Sequence, residues 1–293
     1  MVRAAIFGSA EGGNVIGSTL EHPATASARS QWSPIAGKEN ISIAHDKDQA
    51  MVTAEHYLEH VTAETRVATI IQTSPVVGMA VDVKKIAGAI RSKSPDCFII
   101  VDSIQHAAHG VMDIGAIGVD GCAVSGYKVF SRHNYGVAWV SPRLSTLRHE
   151  KLDGTADNFW ELGTRDTGAF ATFSEVVNYL EWLGSQLTGS TDQRTRLETA
   201  GRAMAEQEQH LVDVAINGAE GRTGIRDLPG AFILGGADNP HREGLVSYAF
   251  ANKPSVEVVS ELNERGIRTH LRKADYFSGS VLTPLDMDSC IRT

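Results

Sequence analysis

The segment from Phe98 to Val140 constrains the fold of this chain more than any other part of it. An apolar run (FIIV) ends on Asp102, which is typical of a buried parallel strand that carries an acidic side chain at its carboxyl end. A second apolar run (CAV) is followed by the sequence SGYK, which ends on Lys128, and a third run (VAWV) closes the segment. The segment therefore predicts an acid and a lysine at the ends of neighbouring strands.

The preceding part of the chain alternates between strand and helix patterns. Apolar runs at residues 14–19 and 67–72 predict strands, and the segment after the second run has the three-and-four apolar spacing of a helix with one buried face. The alternation predicts an α/β fold with a mostly parallel sheet and helices on both faces. Because crossovers in such sheets are right-handed, the loops at the strand carboxyl ends gather at one edge. At that edge we expect His22, the loop over residues 73–78, Asp102 and Lys128.

A lysine and a carboxylate at one sheet edge suit Schiff-base chemistry. A lysine amine bonds covalently to an aldehyde cofactor, and a carboxylate keeps the pyridine nitrogen of such a cofactor protonated. Taken singly, a lysine after a strand usually lies on the surface, and an aspartate there usually caps a helix. An unrelated α/β enzyme that uses Lys128 as an acid or base, such as a cofactor-free Schiff-base aldolase, also stays open. The sequence has neither the GxGxxG nor the GxxxxGK[ST] fingerprint, so hydride and phosphoryl transfer are less favoured.

The motifs V-D-x-x-Q, S-G-x-K and the glycine turn that follows resemble the class V aminotransferase and cysteine desulfurase superfamily of fold-type I, pyridoxal-phosphate (PLP)-dependent enzymes. The resemblance implies that Lys128 forms the Schiff base with PLP and that Asp102 faces the pyridine nitrogen. His22, in an E-H-x-A sequence, would lie flat against the cofactor ring. It also implies an enzyme that acts on a small amino acid through an external aldimine formed by displacing Lys128.

Further cofactor and substrate residues follow from the same resemblance. Gln105 would contact the phenolic oxygen of PLP, while Ser125 and Tyr127 would hold its phosphate. Thr164 lies in an E-x-G-T-like turn, where the family threonine reaches the phosphate of the neighbouring subunit's cofactor, so a homodimer is implied; a plain turn before a helix cap is the alternative. The substrate carboxylate would bind one of two arginines, Arg268 or Arg272, and we favour Arg272 because it follows the predicted strand.

Two departures bear on the reaction. Pro75 stands where cysteine desulfurases usually carry an asparagine, and proline has no side-chain donor. The loop over residues 272–279 holds no cysteine, whereas a persulfide-forming desulfurase needs a mobile one there. We therefore expect a lyase, aminotransferase or racemase reaction rather than persulfide formation. The chain resembles a member shortened at both ends, so a truncated, non-catalytic scaffold or partner subunit is the alternative.

The domain organisation follows from helix and strand patterns in the C-terminal third. Residues 1–190 are expected to form the PLP-binding large domain, lacking part of the usual N-terminal segment. Residues 191–293 are expected to form a long spine helix and a small α+β domain that is incomplete at its end. The first 13 residues are interpreted as a short segment punctuated by glycines.

The composition of the chain limits the classes of partner that it can bind. The net charge of −8 and the lack of a basic run argue against nucleic acid. No apolar stretch reaches transmembrane length, the N-terminus lacks a signal-peptide core, and the three cysteines have no paired spacing, so we expect a cytoplasmic protein that does not bind membranes. His106, His109 and His133 lack acidic or thiol partners at ligand spacing, so no metal is expected.

Overall fold

The computed structural model of the chain describes residues 1–164 and 166–293. The helices are α1 (Val2–Gly8), α2 (Pro23–Ile35), α3 (Ala54–Leu58), α4 (Val83–Lys93), α5 (Ile114–Ile117), α6 (Pro142–Ser145), α7 (Thr167–Ser185), α8 (Gln193–Asn217), α9 (Ser255–Glu264) and α10 (Gly279–Leu282). The strands are β1 (Asn14–Ser18), β2 (Glu39–Ile43), β3 (Thr65–Ile71), β4 (Phe98–Asp102), β5 (Gly121–Ser125), β6 (Gly136–Val140), β7 (Gly218–Ala219), β8 (Arg222–Thr223), β9 (Ala231–Ile233), β10 (Ser247–Phe250), β11 (His270–Lys273) and β12 (Ser289–Arg292). Short 3-10 turns cover His106–Ala108, Gly126–Lys128, Ile225–Asp227 and Thr283–Leu285.

The central sheet has six strands in the order β2-β1-β3-β4-β5-β6. Strands β1 to β5 run parallel, and β6 pairs antiparallel with β5. The register sets Asp102 beside Ile71 of β3 and Ala123 of β5, so the carboxyl ends of these three strands lie together. The expected α/β fold with a mostly parallel sheet is confirmed.

Alternate residues of the central strands enter two separate hydrophobic cores. On one face, Ile70, Ile99 and Val101 pack with α3 and α4. On the other face, Val67, Phe98 and Ile100 pack with α1, α2 and α6. Helices on both faces bury both sides of β3 and β4, which is why these strands read as continuous apolar runs.

The C-terminal part contains a second sheet. Its four strands pair antiparallel in the order β11-β12-β10-β9, over a small core that includes Ile216 of α8, Tyr248 and Ile291. Helices α7 and α8 pack closely at Gly184, where a Cβ atom would come within 2.0 Å of the Arg196 carbonyl oxygen. Residue 190 falls in the connection between these helices, and the division into two domains at that point stays a prediction.

Three local elements differ from the sequence-based expectations. Helix α1 lies within the first 13 residues, which are interpreted only as a short, glycine-punctuated segment. Its buried Ala4, Ala5 and Ile6 pack beneath the sheet, a tertiary effect that seven residues cannot signal by periodicity. The sequence predicts a helix from about Gln49 to Val61, but the helix there is limited to α3. Strand β11 extends to Lys273 because it pairs with β12, so Arg272 lies within the strand, opposite Cys290, and not after it.

None of the helices in the described part of the chain combines the length and apolar character needed to cross a membrane.

Candidate active site

A cavity of about 560 Å³ opens at the carboxyl edge of the central sheet. It lies where the ends of β3, β4 and β5 meet the second sheet. The sheet edge contributes six residues that were predicted for the site, namely His22, Asp102, Gln105, Ser125, Tyr127 and Lys128. The second sheet and its loops contribute Arg268, His270, Arg272, Phe277 and Arg292. The structure therefore brings together all the predicted site residues except Thr164, which is exposed and does not line the cavity.

Asp102 ends β4 and presents its carboxyl group to the cavity. Its Oδ1 atom accepts a hydrogen bond from the Ile104 backbone N–H at 3.0 Å. Burial raises the pKa of Asp102, although that N–H and the charges of His22 and Lys128 act in the opposite direction. A positively charged nitrogen placed against a partly buried carboxyl group of this kind stabilises its ionised form.

Lys128 ends the 3-10 turn that follows β5. Its Nζ atom donates to Gln105 Oε1 at 2.7 Å. Burial lowers the pKa of Lys128 to about 8, with help from Arg292 and Arg272 and against the opposing effect of Asp102. The neutral, nucleophilic amine is thus far more available near pH 7 than in an ordinary lysine.

The turn that carries Lys128 requires a glycine. A Cβ atom at Gly126 would lie 2.3 Å from the ring of Tyr135, which packs directly against the backbone there. The Tyr135 hydroxyl donates in turn to Ser131 Oγ at 2.5 Å. The glycine of the SGYK sequence is therefore required by the close approach of Tyr135. This contact fixes the position of the turn that carries Lys128.

His22 is held at the N-terminus of α2. Its Nδ1 accepts from the Ala24 N–H at 3.2 Å, and its ring meets the edge of Phe277 with centroids 4.9 Å apart. Burial lowers the pKa of His22; Asp102 raises it, while Lys128 and Arg272 lower it further. The site therefore presents a neutral imidazole whose Nδ1 is already engaged.

The buried neighbour of His22 was not singled out from the sequence. Glu21 is buried, and its Oε1 accepts from the N–H of Ile71 at the end of β3 at 3.2 Å. Burial raises the pKa of Glu21 to about 7, although Arg29 lowers it. This hydrogen bond holds Glu21 and His22 at the sheet edge. The sequence signal for Glu21 was a charged residue directly before His22.

The cationic wall of the cavity comes from the second sheet. Arg268, just before β11, and His270 and Arg272, which alternate within β11, all line the cavity. The Arg272 guanidinium lies 5.3 Å from the centroid of the Phe277 ring. Arg292 donates from Nη1 to the Pro75 carbonyl at 2.8 Å, so it both lines the cavity and ties β12 to the loop after β3. The choice between Arg268 and Arg272 as the carboxylate partner stays a prediction.

Two histidine–glutamate pairs lie behind the cavity. His109 Nδ1 is 2.8 Å from Glu208 Oε2, and His106 Nδ1 is 2.7 Å from Glu243 Oε1. Thr73 Oγ1 donates to the other oxygen of Glu243 at 2.7 Å. The two glutamates lie 99 and 137 residues beyond their histidines, a separation that no sequence spacing reveals. Across residues 1–164 and 166–293, no three His, Cys, Asp or Glu side chains are arranged to hold a metal ion.

The family model for aminotransferase class-V matches residues 2–293. A probable cysteine desulfurase of Mycoplasma genitalium is 31% identical over 99 residues, which cover 33% of this chain and 24% of that protein. A probable cysteine desulfurase of Borreliella burgdorferi is 21% identical over 299 residues, which cover 95% of this chain and 64% of that protein. The matches thus span less than two thirds of these relatives.

Solved structures show the same fold. The crystal structure of a cysteine desulfurase from Escherichia coli superposes with a TM-score of 0.75 and 17% identity, covering 100% of this chain and 71% of that chain. An apo cysteine desulfurase from Thermococcus onnurineus gives a TM-score of 0.72 and 16% identity over the same shares of the two chains. The likeness in fold extends over the whole of this chain.

Proposed function

We infer, because this chain belongs to the aminotransferase class-V family, that it works as a PLP-dependent enzyme on a small amino acid. Enzymes of this family use PLP. The observation that carries the proposal is the position of Lys128, Asp102 and His22 around one cavity at the carboxyl edge of the sheet. That edge is where open α/β sheets bind their ligands.

The residues that line the cavity fit PLP chemically. When bound, PLP supplies an aldehyde for an amine and a pyridine ring that takes up negative charge from the substrate's α-carbon. Lys128 offers an amine with a lowered pKa, and Asp102 keeps one oxygen, Oδ2, without a protein hydrogen bond among the described residues. Asp102 would contact the ring nitrogen, and His22 would lie against the ring face. Gln105 would contact the phenolic oxygen. Ser125 and Tyr127 would serve the phosphate.

The chain's own groups then divide the work on the substrate. Arg272, or Arg268, holds the substrate carboxylate, because a guanidinium binds carboxylates through two parallel hydrogen bonds. The Lys128 amine, once free, accepts the substrate's α-proton at Nζ, since its pKa of about 8 suits a base near neutral pH. His22 is neutral and packs edge-on against Phe277, which keeps its imidazole in one orientation.

The cysteines favour a reaction other than persulfide formation. Cys97, Cys122 and Cys290 are all free and buried. Burial raises the pKa of Cys290 to about 11, so its thiolate, the form that attacks sulfur, is scarce at neutral pH. We therefore propose a lyase, aminotransferase or racemase reaction, although the relatives compared above carry the name cysteine desulfurase.

Exchange of the substrate's α-proton tests the step that these reactions share. The PLP-loaded chain is incubated in D2O with single amino acids, cysteine included, and loss of the α-proton signal is followed by NMR. We expect exchange with at least one amino acid, followed by a keto acid, ammonia or the opposite enantiomer. Lys151→Ala is the matched control, because Lys151 lies outside the cavity lining and bonds to Asp157 at 2.5 Å. Absence of exchange with every amino acid, or a persulfide on a cysteine of this chain, would contradict the proposal.

We also propose that two copies form a homodimer over the exposed face of α7. Phe130, Tyr179 and Trp182 are 61%, 45% and 56% exposed and form a continuous aromatic row. Phe130 and Tyr179 line a groove of about 670 Å³ beside the turn that carries Lys128. Exposed apolar patches of this kind mark protein interfaces. Thr164 is exposed and outside the cavity lining, so its predicted role at the phosphate requires a second copy.

Light scattering checks the dimer. The native chain should have twice the mass of a single chain, and Tyr179→Arg should lower that mass, because a buried unpaired charge weakens an apolar interface. A monomeric native chain with full α-proton exchange would contradict the proposal.

The free, buried thiols also suit a reducing compartment, and we propose the cytoplasm. Recovery of the protein from another cell fraction would contradict this assignment.

A further inference from the structure

A chain of hydrogen bonds runs from the cavity into helix α8. Lys128 Nζ donates to Gln105 Oε1 at 2.7 Å, and the amide nitrogen of Gln105 lies 2.7 Å from His109 Nε2. His109 Nδ1 lies 2.8 Å from Glu208 Oε2. Four side chains from three parts of the sequence are thus joined in one line.

The chemistry of the groups gives this line a single direction. An ammonium has only donors, so the oxygen of the Gln105 amide must face Lys128 and its NH2 group must face His109. His109 Nε2 must then be the acceptor, which places the imidazole proton on Nδ1. A carboxylate has only acceptors, so Glu208 receives that proton in a hydrogen bond and fixes the tautomer.

The half of the line farther from Lys128, His109 and Glu208, is held in place. The His109 side chain is 10% exposed. A Cβ atom at Gly244 would lie 2.5 Å from Glu208 Oε2, so the glycine makes room for the carboxylate. Burial disfavours a charge on the imidazole, but the hydrogen bond and charge of Glu208, with Glu243, outweigh it and raise the pKa of His109; Lys128 opposes them. Nε2 therefore accepts from the Gln105 amide at pH values above the pKa of His109, where the imidazole is neutral.

We propose that Glu208 and His109 are positioning residues that hold the Gln105 amide with its carbonyl oxygen toward Lys128 Nζ. This orientation stabilises the ammonium form of Lys128 through a charge-assisted hydrogen bond. The inference rests on the proposed function only in taking Lys128 as the reactive amine; the orientation of the amide is that of the chain without PLP, in which Lys128 is free.

Competitive acetylation of the full chain without PLP measures the relevant quantity. Trace acetic anhydride is added from about pH 6 to about pH 11, and mass spectrometry of the Lys128 peptide gives the pKa of its amine. The charged and titratable groups that face this amine or its line of bonds are Asp102 from β4, Arg272 from β11, Arg292 from β12, His22, His109, Glu208 and Glu243. All of them except the substituted residue are the same in every protein compared.

Glu208→Gln is expected to lower the pKa of Lys128 by about one pH unit, the scale of a partly lost hydrogen bond to a charged group. A glutamine at 208 both donates and accepts, so the imidazole takes either tautomer. With its proton on Nε2, His109 no longer accepts from the Gln105 NH2 group, so the amide is held less firmly and its hydrogen bond to the ammonium weakens. Glu206→Gln is the matched control, since Glu206 is exposed on the same helix and the substitution removes the same charge. It should leave the pKa of Lys128 unchanged.

A double-mutant cycle separates transmission through Gln105 from a general structural effect. In a Gln105→Leu background, Glu208→Gln should have no further effect on the pKa of Lys128. If Glu208→Gln fails to fold, as judged by circular dichroism, His109→Leu replaces it and should lower the pKa in the same way. An unchanged pKa in Glu208→Gln, or a fall that persists without Gln105, would overturn the proposal. Because no PLP is present, a chain that fails to bind the cofactor can still pass or fail this test.

Discussion

Lys128→Ala is expected to lose all covalent attachment of PLP and all α-proton exchange with amino acids. Nζ of Lys128 is the amine at the cavity with a pKa lowered to about 8, and it acts both as the group that bonds the aldehyde and as the base at the α-carbon. Loss of a positioned base alone costs about 10²–10⁴ in rate, and loss of the covalent bond adds to this. We therefore expect at least about a 10⁴-fold fall in exchange rate.

Attachment is measured as PLP retained after borohydride reduction and denaturation, and exchange as before. Lys151→Ala, which removes a lysine elsewhere, should behave as the native chain. A Lys128→Ala protein that retains reducible PLP, or that exchanges α-protons at the native rate, would show that another group does this work.

Asp102→Asn is expected to keep most of its affinity for PLP and to lose most of its rate. Asparagine preserves the shape of the side chain, and its Oδ1 still accepts the Ile104 N–H. It carries no negative charge, however, so it cannot hold a proton on a ring nitrogen placed opposite. Removal of one such electrostatic contact in a water-excluded site costs about 10²–10³ in rate.

The comparison requires kcat for the variant and the native chain and the concentration of PLP that half-saturates each. Asp96→Asn is the control, because Asp96 is exposed on the surface and does not line the cavity. A native kcat in Asp102→Asn would remove Asp102 from the mechanism, whereas loss of PLP binding without loss of fold would make it a binding residue.

The sheet edge and the residues on it could be predicted from the sequence because each depends on local pattern. The apolar runs before Asp102 and Lys128 specify buried strands, and parallel strands place their carboxyl ends together. His22 follows β1 in the same way. The order of strands and helices was therefore enough to predict that these three residues meet at the cavity.

The back of the site could not be predicted, since it depends on how distant elements pack. Glu208 and Glu243 reach their histidines from α8 and from the loop before β10, across separations that only the folded chain closes. Arg292 joins the cavity because β12 pairs with β11, a register that sequence alternation alone does not fix. The burial of Glu21 beneath His22 likewise required the sheet edge to be in place.

The site assignment rests most directly on where PLP attaches. The native chain is incubated with PLP, reduced with borohydride, digested and analysed by mass spectrometry. We predict one modified peptide, which carries the reduced cofactor on Lys128, together with loss of the visible absorbance on reduction. Modification at a different lysine, or no modification above that of the Lys128→Ala protein, would contradict the assignment of Lys128.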